Sequence, residues 1–257
     1  MDLYALPPVA ALLDGAHRLL MAFAGLLEPL IGVSSAAAAI LLVTLLVRIA
    51  LVPVGISQAK AERTRARLAP RLAELRRRHG TDPERLQRET MALYTSEGAS
   101  PFAGCLPMLL QAPVVGVIYA LFILPTVAGH PNMLLEQQLG GVPLGTSLAG
   151  SIVAGALTPT SIAVFVVIIG SIALVGEVTR RVFRPNLTGP MGAAPGSALP
   201  NAVIAQRLLG VLQFITAVIA VFVPLAAALY LLVTVSWTLV QRVLLRRVHP
   251  LPEPRTA

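Results

Sequence analysis

Residues 34–56 read SSAAAAILLVTLLVRIALVPVGI, an apolar run carrying one charge, Arg48. About 20 such residues in a helix, at 1.5 Å each, span the roughly 30 Å of a bilayer core. The run therefore predicts a membrane-spanning helix. Four more segments have the same character: 104–125, 161–179, 207–223 and 225–242, the last two separated only by Pro224. Residues of the AVILMFWYC set make up 56% of the chain and charged residues 12%. A soluble protein carries about 25% charge, so too few charges are present to cover a soluble surface. The expected fold class is an all-α polytopic membrane protein with five transmembrane helices.

The net charge of +8 would suggest nucleic acid in a soluble protein. In a membrane protein the distribution matters more, because Lys and Arg mark cytoplasmic loops. Residues 57–100 hold ten basic residues (Lys60, Arg63, Arg65, Arg67, Arg71, Arg76, Arg77, Arg78, Arg85, Arg88) against six acidic ones. Residues 126–160 hold neither Lys nor Arg, whereas Arg180, Arg181, Arg184 and Arg207 flank the next connection. The sides alternate without conflict. This predicts an outside N-terminus, cytoplasmic 57–100 and 180–206 loops, an extracytoplasmic 126–160 loop, and a short cytoplasmic tail, 243–257. Residues 1–33 are expected on the outer face. Within them, 9–31 carry leucines at helical spacing, but Asp14, His17, Arg18 and Glu28 interrupt the stretch, so an interfacial helix is expected. The N-terminus has no basic region followed by a small-residue cleavage site, and Met1 onward reads as mature protein.

The 57–100 region reads as a helical hairpin. Leu68, Leu72 and Leu75 step along one face until Gly80; Asp82-Pro83 then supplies an N-cap and a first-turn proline. Leu86, Leu93 and Tyr94 mark the apolar face of the second helix, which ends near Gly98.

Arg48 is the most informative single residue. It stands about eight residues, or 12 Å, from the cytoplasmic end of its predicted span. An arginine inside a span costs at least about 2.5–3.5 kcal/mol, so it should face a partner or a water-filled cavity. Thr44 lies one turn earlier on the same face. In the last two spans, Gln206, Gly210, Gln213 and Ala217 form one polar or small-residue stripe, and Tyr230, Thr234, Trp237 and Gln241 form another. Stripes of this kind belong inside a helix bundle rather than against lipid. Together with Arg48 they predict a shared hydrophilic groove, which Gln111 and Glu177 would border. The groove by itself fits either a solute path or a protein-handling surface.

No HExxH, GxSxG or Walker sequence is present, and the four histidines are scattered. One cysteine, Cys105, allows no intrachain disulfide, and no Cys/His cluster has zinc spacing. No covalent catalysis, cofactor or metal is expected.

Several of these pieces resemble one family. TLLVRIALVPVGISQAK (44–60), the arm LAPRLAELRRRHGTDPERLQRETMALYTSEGASP (68–101) and FAGCLPMLLQAPVVGVIYALF (102–122) are similar to the core of the YidC membrane protein insertases, with their mitochondrial and chloroplast relatives. VPLAAALYLLVTVSWTLVQ (223–241) resembles that family's last span, and VPLGTSLAG (142–150) its outer loop. The resemblance covers roughly residues 34–245. It implies five spans around a groove open to cytoplasm and lipid, with Arg48 as the groove arginine and Thr44, Tyr230, Trp237 and Gln241 beside it. Gln213 stands where relatives often carry proline. The implied partners are newly made membrane proteins and the bilayer, with the general secretion channel and the ribosome reached through the cytoplasmic loops. Sequence-specific nucleic-acid binding is not expected. The implied location is the bacterial plasma membrane.

Overall fold

The computed structural model describes residues 7–99, 116–127, 130–183 and 214–248. Two compact units are present. The first comprises Met1–Ala50, Gln111–Val182 and Gln213–Leu239; the second comprises Leu51–Leu110, Phe183–Leu212 and Val240–Ala257.

The first unit begins with α1 (Pro7–Ile31), rich in Leu and Ala, with its proline pair in the first turn, where a missing N–H costs little. Gly32, at φ 64°, turns the chain through a 3₁₀ turn (Gly32–Ser34) into α2 (Ser35–Ala50). α1 packs on α2. Leu13, Leu20 and Ala24 of α1 and Ala36, Ala37, Ala39 and Ile40 of α2 are buried, the alanines permitting close backbone approach. The 34–56 stretch is not one helix. It breaks at Leu51, and α3 (Val52–His79) starts with Pro53 in its first turn. Pro53 has no N–H to continue the ladder of α2, which accounts for the interruption.

A helix over 116–123 buries Ala120, Leu121 and Phe122. Within the 126–160 stretch read from sequence as loop, residues 126–127 and 130–147 form short paired elements. β1 (Thr126–Val127) pairs antiparallel with β2 (His130–Pro131), with Val127 opposite His130. The single turn α6 (Met133–Glu136; the 83–96 helix of the second unit is α4 and the 116–123 helix α5) follows. β3 (Gln138–Leu139) and β4 (Val142–Pro143) then form a hairpin over Gly140 and Gly141, at φ 57° and 82°, as a two-residue turn with both φ positive requires. α7 (Leu148–Val153) leads to α8 (Pro159–Val182), then α9 (Ile215–Phe222) and α10 (Leu225–Val248). The folded segment is tied to α10: Leu225 and Ala226 N–H donate to the Thr146 and Leu144 carbonyls at 2.8 and 2.9 Å. These bonds satisfy two donors that the start of a helix leaves without partners.

The second unit contains the basic arm. α3 ends at His79, and α4 (Pro83–Ser96) starts from Asp82, whose carboxylate accepts from Arg85 N–H at 3.0 Å. Leu68 and Tyr94 are buried, and Arg67 and Arg71 both reach Glu97, at 3.0 and 2.5 Å. Hydrogen bonds from Arg77 and Arg78 hold the Glu74 carboxyl below its ordinary range. Phe183 lies under the guanidinium of Arg246, 4.3 Å from the ring centroid, and Arg246 also reaches Glu62 at 3.4 Å.

Among the described residues, Val9–Ala50, Pro159–Val182 and Leu225–Val248 are long and apolar enough to cross a membrane. The chain is thus a mostly helical, multi-pass membrane protein. α10 runs six residues beyond the expected end of the last span, taking up the first part of the 243–257 tail. Most of 104–125 and the start of 207–223 lie outside the described residues.

Candidate functional site

α2 places Arg48 in its last turn, where the carbonyl end of a helix favours a cation. The break at Leu51 explains this placement: Arg48 sits beside a helix end rather than midway along a continuous helix. One terminal nitrogen of its guanidinium donates to Thr234 Oγ1 at 3.0 Å and lies 3.4 Å from the Tyr230 hydroxyl. Both partners belong to α10, one turn apart. Tyr230 is steadied by buried Phe122, with ring centroids 6.2 Å apart and planes tilted by 51°.

Both acceptors are neutral hydroxyls. Among the described residues no carboxylate pairs with Arg48, so its charge stays uncompensated while its orientation is set. The remaining guanidinium donors suit a carboxylate or peptide carbonyl. Burial around the site is graded. Leu225–Leu229 are buried, whereas every residue from Tyr230 to Leu239 is half-buried. α2 behaves similarly: Ser35, Ala36, Ala37, Ala39 and Ile40 are buried, and beyond Thr44 no residue of this helix is. The packing of both helices is tight at the end that meets the folded 126–147 segment and looser around Arg48.

The other residues of the predicted groove divide. Thr44 is buried and donates to the Ile40 carbonyl at 2.6 Å, so its hydroxyl serves its own helix rather than Arg48. Trp237 is half-buried within the first unit. Gln241 belongs to the second unit, where its amide lies so close to Gly55 that a Cβ there would stand 1.6 Å from Nε2. Glu177 is engaged by Arg180 and Arg181 at 2.7 and 2.6 Å at the end of α8. Gln111 and Gln213 lie outside the described residues. Among those described, no group of His, Cys, Asp and Glu is arranged to hold a metal.

Asn132 escaped the sequence reading. It is buried, its amide donates to the Leu121 and Leu124 carbonyls at 2.7 and 3.0 Å, and its Oδ1 accepts from Leu134 N–H at 3.3 Å. One side chain thereby closes the end of α5 and opens α6. The only local hint is an asparagine after Pro131 and before an apolar pair, a common N-cap setting.

Comparison with known proteins identifies the family. The family model described as 60Kd inner membrane protein matches residues 26–252. Proteins named "Membrane protein insertase YidC" are similar over part of the chain. The one from Clostridium perfringens is 37% identical over 83 residues, covering 32% of this chain and 35% of that protein. The one from Oceanobacillus iheyensis is 36% identical over 107 residues, covering 40% and 42%. The one from Granulibacter bethesdensis is 40% identical over 92 residues, covering 36% and 16%. The matched stretches thus span less than half the length of these relatives. The family model covers most of the chain, which accordingly belongs to the 60Kd inner membrane protein family, that of the YidC-type insertases.

Proposed function

We propose that this protein is a membrane insertase and chaperone that moves transmembrane segments of client proteins from the cytoplasm into the bilayer without nucleotide hydrolysis. The observation that carries the reading is Arg48, held by Tyr230 and Thr234 with its charge unpaired among the described residues. In a low-dielectric groove such a charge attracts the polar or acidic end of an incoming chain far more strongly than in water. Burial of the client's own apolar segment in lipid then supplies the driving force. In this reading five spans surround the groove, Gln111, Gln213 and Trp237 contribute to it, Thr44 backs the helix that carries Arg48, and the N-terminus is outside with the C-terminus cytoplasmic. The bonds from Thr146 and Leu144 to the start of α10 support a groove closed on the extracytoplasmic side. The ribosome and the general secretion channel would meet the cytoplasmic loops.

The test is reconstitution of the purified protein alone in lipid vesicles with a single-span client, scored by protease protection. Insertion without nucleotide supports the reading. Solute flux without client insertion would favour a transporter or channel instead.

Orientation has its own test. In a Cys105→Ser background, Arg78→Cys is expected to react with an impermeant thiol reagent only from the cytoplasmic face. Labelling from outside intact cells would invert every span.

The arm has another. Shortening the turn around Gly80 is expected to slow client insertion several-fold and leave the melting temperature nearly unchanged. The Arg67 and Arg71 pairs to Glu97 are exposed, and such pairs contribute only about 0–1 kcal/mol. Unchanged insertion kinetics would reduce the arm to a connector.

A further inference from the structure

The loop that precedes α8 is built for lipid rather than for water. Between Glu136 and Glu177 the chain has 40 consecutive residues without Asp, Glu, Lys, Arg or His. In the middle of that stretch α7 exposes Ile152 at 55% and Val153 at 89%, with Leu157 at 39% just after it. α7 packs on α9, leaving Phe222 of α9 67% exposed. On α8, the next helix in sequence, Ile162, Val166 and Val167 are exposed as well. α8 is itself apolar and long enough to cross the membrane, and α7 ends shortly before it begins, so the exposed side of α7 lies next in sequence to a helix that lipid covers.

The backbone supplies an independent observation. Hydrocarbon tolerates only a chain whose polar groups are satisfied internally. Ser147 N-caps α7, its Oγ accepting from Gly150 N–H at 3.0 Å, and Ser151 Oγ donates to the Ser147 carbonyl at 2.9 Å. At the other end Gly155, at φ 62°, closes a Schellman motif: its N–H donates to Ile152 and that of Ala156 donates to Ser151, at 3.1 and 3.0 Å. Thr158 and Ser161 then form a reciprocal cap for α8. Thr158 N–H donates to Ser161 Oγ at 2.9 Å, and Ser161 N–H donates to Thr158 Oγ1 at 3.1 Å. These bonds leave the ends of α7 and the start of α8 with few open polar groups, as burial in hydrocarbon requires.

We propose that α7 lays Ile152 and Val153 as a wedge among the acyl chains of the leaflet adjoining the start of α8, anchoring the folded segment before it to the membrane. The partner is lipid hydrocarbon. This assignment does not depend on insertase activity, and its test does not measure insertion.

The experiment uses the full chain with Cys105→Ser, reconstituted in phosphatidylcholine and phosphatidylglycerol vesicles and labelled with an environment-sensitive fluorophore at Val153→Cys. Ile152→Cys is a second site, and His130→Cys, on an exposed strand, is the aqueous reference. Nitroxide-bearing acyl chains are expected to quench both α7 labels at least about threefold more than aqueous iodide does, with the order reversed at His130. Iodide quenching of both α7 sites equal to that at His130 would overturn the wedge. Protection of both from either quencher would place protein there, a second copy included, and would overturn it equally.

Discussion

Arg48→Ala is expected to reduce insertion of a client with an acidic translocated tail by about tenfold or more, and to change the melting temperature little. A hydrogen bond to a charged group contributes about 1.5–3 kcal/mol. Losing that much to the client's carboxylate or carbonyl corresponds to a factor of roughly ten or more, at 1.4 kcal/mol per tenfold. The partners left behind, Tyr230 and Thr234, are half-buried hydroxyls that water can serve, so the fold loses less than the function. Arg48→Lys separates charge from shape. Only one guanidinium nitrogen makes the observed contacts, so an ammonium replaces the charge while losing the planar fork. Lys is therefore expected to retain most activity. Thr234→Val with Tyr230→Phe keeps the charge and removes its anchors, and a loss of a few-fold is expected, since orientation alone changes. The measurement is insertion of matched clients that differ only in tail charge, beside a thermal melt of each variant. Full activity of the Ala variant on the acidic-tailed client, with an unchanged melt, removes Arg48 from the mechanism. Equal damage to all clients with a lowered melt makes Arg48 a helix tie instead.

Asn132→Ala is expected to give a large loss of stability. It leaves the buried Leu121 carbonyl and Leu134 N–H, and the partly buried Leu124 carbonyl, without their bonds. Each unsatisfied buried group costs about 1–3 kcal/mol, and partial relaxation brings the expected total to roughly 3 kcal/mol. For a chain of this size that corresponds to a fall of about 6–12 °C in melting temperature. Asn132→Asp keeps an acceptor for Leu134 but loses both amide donors and sets a charge against two carbonyls, so it is expected to melt lower still. A circular dichroism melt in detergent makes the comparison. An unchanged melt for both variants would show that Asn132 does not hold the 126–147 segment.

Much of the molecule was legible before folding because its causes are local. Apolar length alone marks α8 and α10, since hydrocarbon leaves the backbone no partner but its own helix. Asp82-Pro83 announces the start of α4, because an N-cap and a first-turn proline act within four residues. Helical spacing put Tyr230 and Thr234 on one face and, through its cost in lipid, singled out Arg48. Spacing did not specify which of the stripe residues Arg48 would meet. Thr44, also one turn away, turns its hydroxyl to Ile40, and Gln241 lies against Gly55 in the second unit.

The sequence by itself determined the membrane class, the helical arm and the residues whose polarity demands a partner. These follow from transfer energies and short-range backbone preferences, which any window of the chain carries. The tertiary structure alone decided that Arg48 rests on Thr234 and Tyr230, 186 and 182 residues away in sequence. It also decided that Asn132 locks a folded segment that composition reads as loop, and that α7 presents its apolar side outward. The physical reason is the same in each case. A hydrogen bond or a buried contact between distant segments depends on where the whole chain brings their backbones. No local preference encodes that distance.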